Sequence, residues 1–153
     1  MCFFLKNEVN KLKILIDADG CPVTRIAVDE AEKHGIEAII YCDTSHDFSS
    51  YNAKVITVSK GADSADFALV NDAEKGDIVI TQDYGLAAMA LAKKAIPLTQ
   101  NGLVINDFNI DGLLNSRHEA KAARRAGKHL KGPSKRTHKQ DADFTAALLS
   151  LIK

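Results

Sequence analysis

A short apolar run, Lys13-Ile14-Leu15-Ile16, stops at Asp17-Ala18-Asp19, and Gly20 and Pro22 then break it before a helical pattern begins. This unit of strand, acid and helix recurs along the chain. Residues 37–42 are almost continuously apolar, which suits a strand buried on both faces of a parallel sheet. Further strands are predicted over 53–58, 77–81 and 95–98, with 103–105 either a sixth strand or an edge. Helical spacing places helices over 23–34, stopped by Gly35, then over about 63–74, about 86–94, 107–126, and from an Asp141 cap through Leu151. Strands alternating with helices imply right-handed crossovers and a mostly parallel sheet. The expected fold is a single-domain α/β protein, a three-layer sandwich.

The 153 residues suit one domain, with residues 13–153 as its body and 1–12 as an N-terminal extension packed through Phe3 and Phe4. No apolar run is long enough to span a bilayer, and the five apolar residues at the start are too few for a signal peptide. The expectation is a cytoplasmic protein with no membrane partner. Cys2, Cys21 and Cys42 are odd in number and include no Cys-x-x-Cys, which fits reduced thiols. Cys21 reads as packing: adjacent acids raise a thiol's pKa and blunt it as a nucleophile.

The acids are the candidate site. Ligands of an open parallel sheet collect at the carboxyl ends of its strands. Asp17 and Asp19 stand at one such end, Asp63 and Asp66 open the helix after another strand, and Asp83 follows a third. If extended, Asp17 and Asp19 point to the same side. Each has a plainer reading as well: aspartate is a favoured turn former and helix N-cap, Asp63 most of all. Carboxylates gathered on one edge form a hard-oxygen site suited to Mg2+ or Mn2+ rather than zinc. Such a site can activate water and stabilise the leaving oxygen of a phosphodiester.

A net charge of zero hides an asymmetry. Residues 117–139 carry nine basic side chains and one acid, a net of +8, and the remainder carries −8. A basic block on an acidic body points to a polyanion, nucleic acid first, although a solvated helix face and charged loop read equally simply. Lys135, Arg136, His138 and Lys139 follow Gly132-Pro133 and are the expected holders of substrate phosphates. The segment has no aromatic residue, which favours backbone contact over base stacking.

Ile16-Asp17, Asp66 and Ile80-Thr81-Gln82-Asp83-Tyr84-Gly85-Leu86 resemble the PIN-like nuclease superfamily. More closely, Asp17-Ala18-Asp19-Gly20-Cys21-Pro22-Val23, Gly61-Ala62-Asp63-Ser64-Ala65-Asp66, Thr81-Gln82-Asp83-Tyr84-Gly85-Leu86-Ala87, Asn101-Gly102 and Gly132-Pro133-Ser134-Lys135-Arg136-Thr137 resemble the bacterial YaiI/YqxD family over residues 13–153. The PIN-like resemblance implies acids that bind magnesium or manganese for RNA cleavage, with Asp17, Asp66 and Asp83 as catalytic metal ligands supported by Asp19 and Asp63. Asn101 stands where PIN nucleases often have a further acid. The YaiI/YqxD family is itself uncharacterised, so that resemblance implies no activity.

Two other readings compete. Asp17-Ala18-Asp19-Gly20 also resembles the first motif of haloacid-dehalogenase phosphatases, where Asp17 would be the nucleophile and Asp19 the acid/base. Cys21-Pro22 departs from that motif. The other is a non-catalytic RNA-binding or partner module with a PIN-like fold and structural acids.

Overall fold

The computed structural model describes residues 11–43, 47–59, 64–127 and 135–152. The chain order is β1 (Lys13–Asp17), α1 (Thr24–Lys33), β2 (Glu37–Asp43), β3 (Lys54–Val58), α2 (Ser64–Asp72), β4 (Ile78–Ile80), α3 (Tyr84–Ala92), β5 (Ile96–Leu98), α4 (Ile110–Arg125) and α5 (His138–Ile152). The strands form one sheet in the order β3-β2-β1-β4-β5, every pairing parallel. This is an α/β sandwich consistent with the PIN-like architecture. Residues 1–10 of the expected extension lie outside the described residues, whereas Leu12 packs on the core.

The register explains the layers. Ile14 and Ile16 of β1 face one side, where α1 and α5 cover them through Val23, Ala27, Phe144 and Leu148. Leu15 faces the other side with Ile39, Tyr41 and Val79, beneath Leu69 of α2 and Leu86 of α3. β1 lies in the middle, and Ile14, Leu15 and Ile16 are fully buried. Burial on both faces is why its sequence is a continuous apolar run.

Residues 103–105 form an edge rather than a sixth strand. Val104 makes an isolated antiparallel bridge to Leu98. The Ile105 N–H donates to the Pro97 carbonyl at 2.9 Å, which caps the outer side of β5. Pro97 has no N–H to give, as befits a strand near a sheet edge.

Two helix starts differ from expectation. α5 begins at His138, three residues before Asp141. Thr137 and Gln140 form a capping box: the Gln140 N–H donates to Thr137 Oγ1 at 3.3 Å, and the Thr137 N–H donates to Gln140 Oε1 at 2.9 Å. Asp141 instead sits in the first turn and accepts from Arg136 Nε at 2.7 Å. α4 begins at Ile110 because Asn106 and Asn109 hold residues 106–109 in a turn, Asn106 Oδ1 accepting from the N–H groups of Phe108 and Asn109.

Candidate active site

Strand alternation builds the site. Asp17 lies two residues beyond Leu15 and Asp43 two beyond Tyr41, so period-2 geometry carries both to the α2–α3 side of the sheet's carboxyl edge. α2 brings Asp66, and the turn after β4 brings Asp83. Asp19 arrives differently. The strand ends at Asp17, and residues 18–21 form a turn closed by the Cys21 N–H donating to the Ala18 carbonyl at 3.1 Å. Gly20 supplies the positive φ of +68° at its third position. Asp17 and Asp19 are therefore not successive positions of one extended strand, yet they meet at the same place.

Two adjoining cavities occupy this edge. One, of about 250 Å3, is lined by Asp17, Asp19, Gly20, Cys21, Ile80, Thr81, Gln82, Asp83 and Gln100. The other, of about 240 Å3, is lined by Asp17, Asp19, Asp43, Asp66 and Asp83 together with Val58 and Ala65. Asp17, Asp19 and Asp83 belong to both.

Asp43 was missed by sequence reasoning. The predicted strand ends at Cys42 and so leaves Asp43 outside it. β2 in fact runs one residue further, pairing Asp43 with Val58 of β3. An acid at one more strand end was the available signal.

Asp17 is the electrostatic centre. Its carboxyl is pushed up to about 6 from an ordinary 3.8, first by burial and then by the negative charges of Asp66, Asp19 and Asp83. One bond opposes this shift: buried Thr81 donates from Oγ1 to Asp17 Oδ2 at 2.9 Å. The same Thr81 oxygen accepts the Asp83 N–H at 3.0 Å. Thr81 thus ties the end of β1 to the turn that carries Asp83. Asp83 is also the N-cap of α3, its Oδ1 accepting from the N–H groups of Gly85 and Leu86 at 2.9 and 3.3 Å. Asp83 thus both caps α3 and lines the two cavities.

The other expected residues divide. Asp63 lies outside the described residues, as do residues 128–134 of the loop expected to swing over the site. Arg136 is occupied. Besides Asp141, its guanidinium donates to Asn101 Oδ1 at 2.9 Å and to the Gln100 carbonyl at 2.7 Å. It therefore fixes the turn that presents Gln100 to the first cavity. Lys139 pairs with Asp143 at 3.0 Å, one helical turn on. Lys135 and His138 are exposed. Cys21 is half-buried at the wall of the first cavity, and burial pushes its thiol up. That accords with packing rather than nucleophilic attack.

Among the described residues no three His, Cys, Asp or Glu side chains are gathered as a finished cation cage. The side chains around the two cavities nevertheless include five carboxylates, whose oxygens are the donor type that hard divalent cations take.

The fold and this edge define a class: a parallel three-layer α/β protein with carboxylates from β1, β2, α2 and the β4–α3 turn around one pair of cavities. The chain belongs to the YaiI/YqxD family, whose profile, described as an uncharacterized BCR, matches residues 15–153. It is 48% identical over 141 residues to a UPF0178 protein of Exiguobacterium sibiricum, covering 92% of this chain and 96% of that one. It is 49% identical over 142 residues to a UPF0178 protein of Ruminiclostridium cellulolyticum, with 93% of each chain covered. No solved structure matches the chain significantly. Among the described residues no helix is long and apolar enough to cross a membrane.

Proposed function

We propose that the acidic edge binds Mg2+ or Mn2+ and hydrolyses RNA phosphodiesters. The observation that carries this reading is the sharing of Asp17, Asp19 and Asp83 by two adjoining cavities, the second completed by Asp43 and Asp66. When bound, a divalent ion supplies charge for the scissile phosphate and lowers the pKa of water. Asp17, Asp66 and Asp83 are its first ligands, with Asp19 and Asp43 in support. Thr81 orients Asp17, and the N-cap bonds of Asp83 hold its carboxylate in place. Burial and the neighbouring acids hold the Asp17 carboxyl near 6 without a cation, and the charge of a bound divalent ion would favour its ionised, ligating form. Gln82 and Gln100, linked by the Gln100 N–H donating to Gln82 Oε1 at 2.8 Å, stand where a ribose or phosphate enters the first cavity. Lys135 and His138 are the remaining members of the expected phosphate-holding set.

The test is calorimetric titration of Mn2+ into the wild type, Asp17→Asn and Asp83→Asn, with a parallel cleavage assay on single-stranded RNA. Asparagine preserves the N-cap at residue 83, so folding is retained. Each variant is expected to bind Mn2+ at least about tenfold more weakly and to lose cleavage. Wild-type protein that neither binds Mn2+ nor cuts RNA overturns the reading. Cation-dependent hydrolysis of a small phosphate monoester, without RNA cleavage, would favour the phosphatase route with Asp17 as nucleophile.

A further inference from the structure

We propose that the exposed distal half of α4 is an anchor for the phosphate backbone of RNA, held by Lys121, Arg124 and Arg125 with His118 at its margin. This rests on the RNA reading above and concerns a surface of the chain outside the acidic edge.

The first half of α4 packs through Ile110, Leu113 and Leu114 against α3. Beyond it, Lys121, Arg124, Arg125 and His118 are all exposed. At 100° per residue, positions 124, 121, 125 and 118 fall in that order within an arc of about 120°, while Glu119, the acid of this half, lies on the opposite side. His118, Lys121 and Arg125 line one shallow groove floored by Ala122 and Ala126. Among the described residues none of these four side chains makes an ion pair or side-chain hydrogen bond, unlike Arg136 and Lys139. Among the described residues, positive charge outside ion pairs is therefore clustered on α4 as well as at Lys135.

Arg124 and Arg125 in the last turn also suit the helix dipole, which is a structural reason for them. It does not reach back about two turns to His118, nor does it account for an arc on one side. The chemistry of the stripe selects its partner. A helix that lies in a membrane interface needs large apolar side chains opposite its cations, and residues 115–126 offer only alanine. A protein-binding surface draws its affinity from aromatic anchors, and this stretch has none. A row of cations on an alanine surface suits repeating phosphates, contacted without regard to base.

The experiment measures binding of a fluorescein-labelled 30-nucleotide poly(U) RNA by anisotropy in EDTA, where cleavage does not intervene, over a series of NaCl concentrations. The variant K121Q/R124Q/R125Q is compared with wild type and with K33Q/K75Q/K93Q, which removes equal charge elsewhere. Glutamine is a good helix former, so circular dichroism should be unchanged. The α4 variant is expected to bind at least about tenfold more weakly at 50 mM NaCl, with a salt slope shallower by about 2, while the charge-matched control follows wild type. Equal weakening in both triple variants assigns the effect to net charge and overturns the anchor. So does wild-type binding by the α4 variant, or wild-type protein that binds phosphatidylglycerol vesicles and not RNA. Loss of RNA binding in the α4 variant, in a protein that cuts no RNA under any condition, leaves the anchor standing and removes the nuclease reading. Wild-type binding by the α4 variant, in a protein whose cleavage depends on Asp17, does the reverse.

Discussion

Asp17 concentrates the tension of the molecule at one carboxyl. Its folded-state pKa of about 6 lies above the ordinary 3.8, so folding favours its neutral form. The native state then holds more protons than the unfolded chain between those values, and cation-free stability falls as pH rises from about 4 to 6 and levels off above. A shift of this size corresponds to at most about 3 kcal/mol. Asp17→Asn keeps an acceptor for Thr81 and removes the charge. Urea titration in EDTA at pH 7.5 is expected to find it more stable than wild type by about 1–3 kcal/mol, a gain that vanishes below pH 4. A variant no more stable than wild type would show that the fold tolerates this charge without cost. Thr81→Val acts in the opposite sense. It removes the bond that lowers the Asp17 pKa and orphans the Asp83 N–H. An NMR titration of the Asp17 carboxyl is expected to move above 6, with about 1–2 kcal/mol of stability lost. At this scale the acids beyond the strands were legible in the sequence but the bonds between them were not. Asp17 and Asp83 were visible as acids beyond strands, whereas the threonine joining them was only part of a motif, because a contact between residues 17 and 81 has no local signature.

Among the elements, α5 is held by its cap and by one close approach. Thr137→Ala opens the capping box and is expected to cost about 1 kcal/mol in thermal unfolding. Gly102 is more demanding: its φ is +88°, and a Cβ there would stand 2.6 Å from the Asp143 carbonyl oxygen in α5. Gly102→Ala must move the backbone of a helix, and a loss of about 2 kcal/mol or more is expected. Full wild-type stability in that variant would mean α5 can give way locally. The strands and their parallel order were legible because apolar runs and helical spacing are local patterns. Helix starts were less so. Asp141 looked like a cap because aspartate favours that position, and only the pairing of Thr137 with Gln140 decides against it. Asp43 escaped for a related reason: whether a strand includes its last polar residue depends on its neighbour, here Val58, and not on the residue itself.

The whole molecule is one core on two sides of a sheet, with charge sorted onto different parts of the surface. The acids gather where strands end, while α4 carries a cluster of cations outside internal pairs. The charge asymmetry was plain in the sequence, but its placement required knowing which cations are already paired. The core on the α1–α5 side depends on Phe144, fully buried against β1 and α1. Phe144→Ala is expected to cost about 3–5 kcal/mol, read from urea unfolding followed by circular dichroism. That packing joins the beginning of the described chain to its end, and it governs how synthesis proceeds. β1 is made early as the middle strand of the sheet, yet one of its faces is covered only in part, by α1, until residues 138–152 have left the ribosome. A nascent chain stalled ahead of α5 would carry strands able to pair but an open apolar wall, so the final helix is the step that turns a protease-sensitive intermediate into a closed protein.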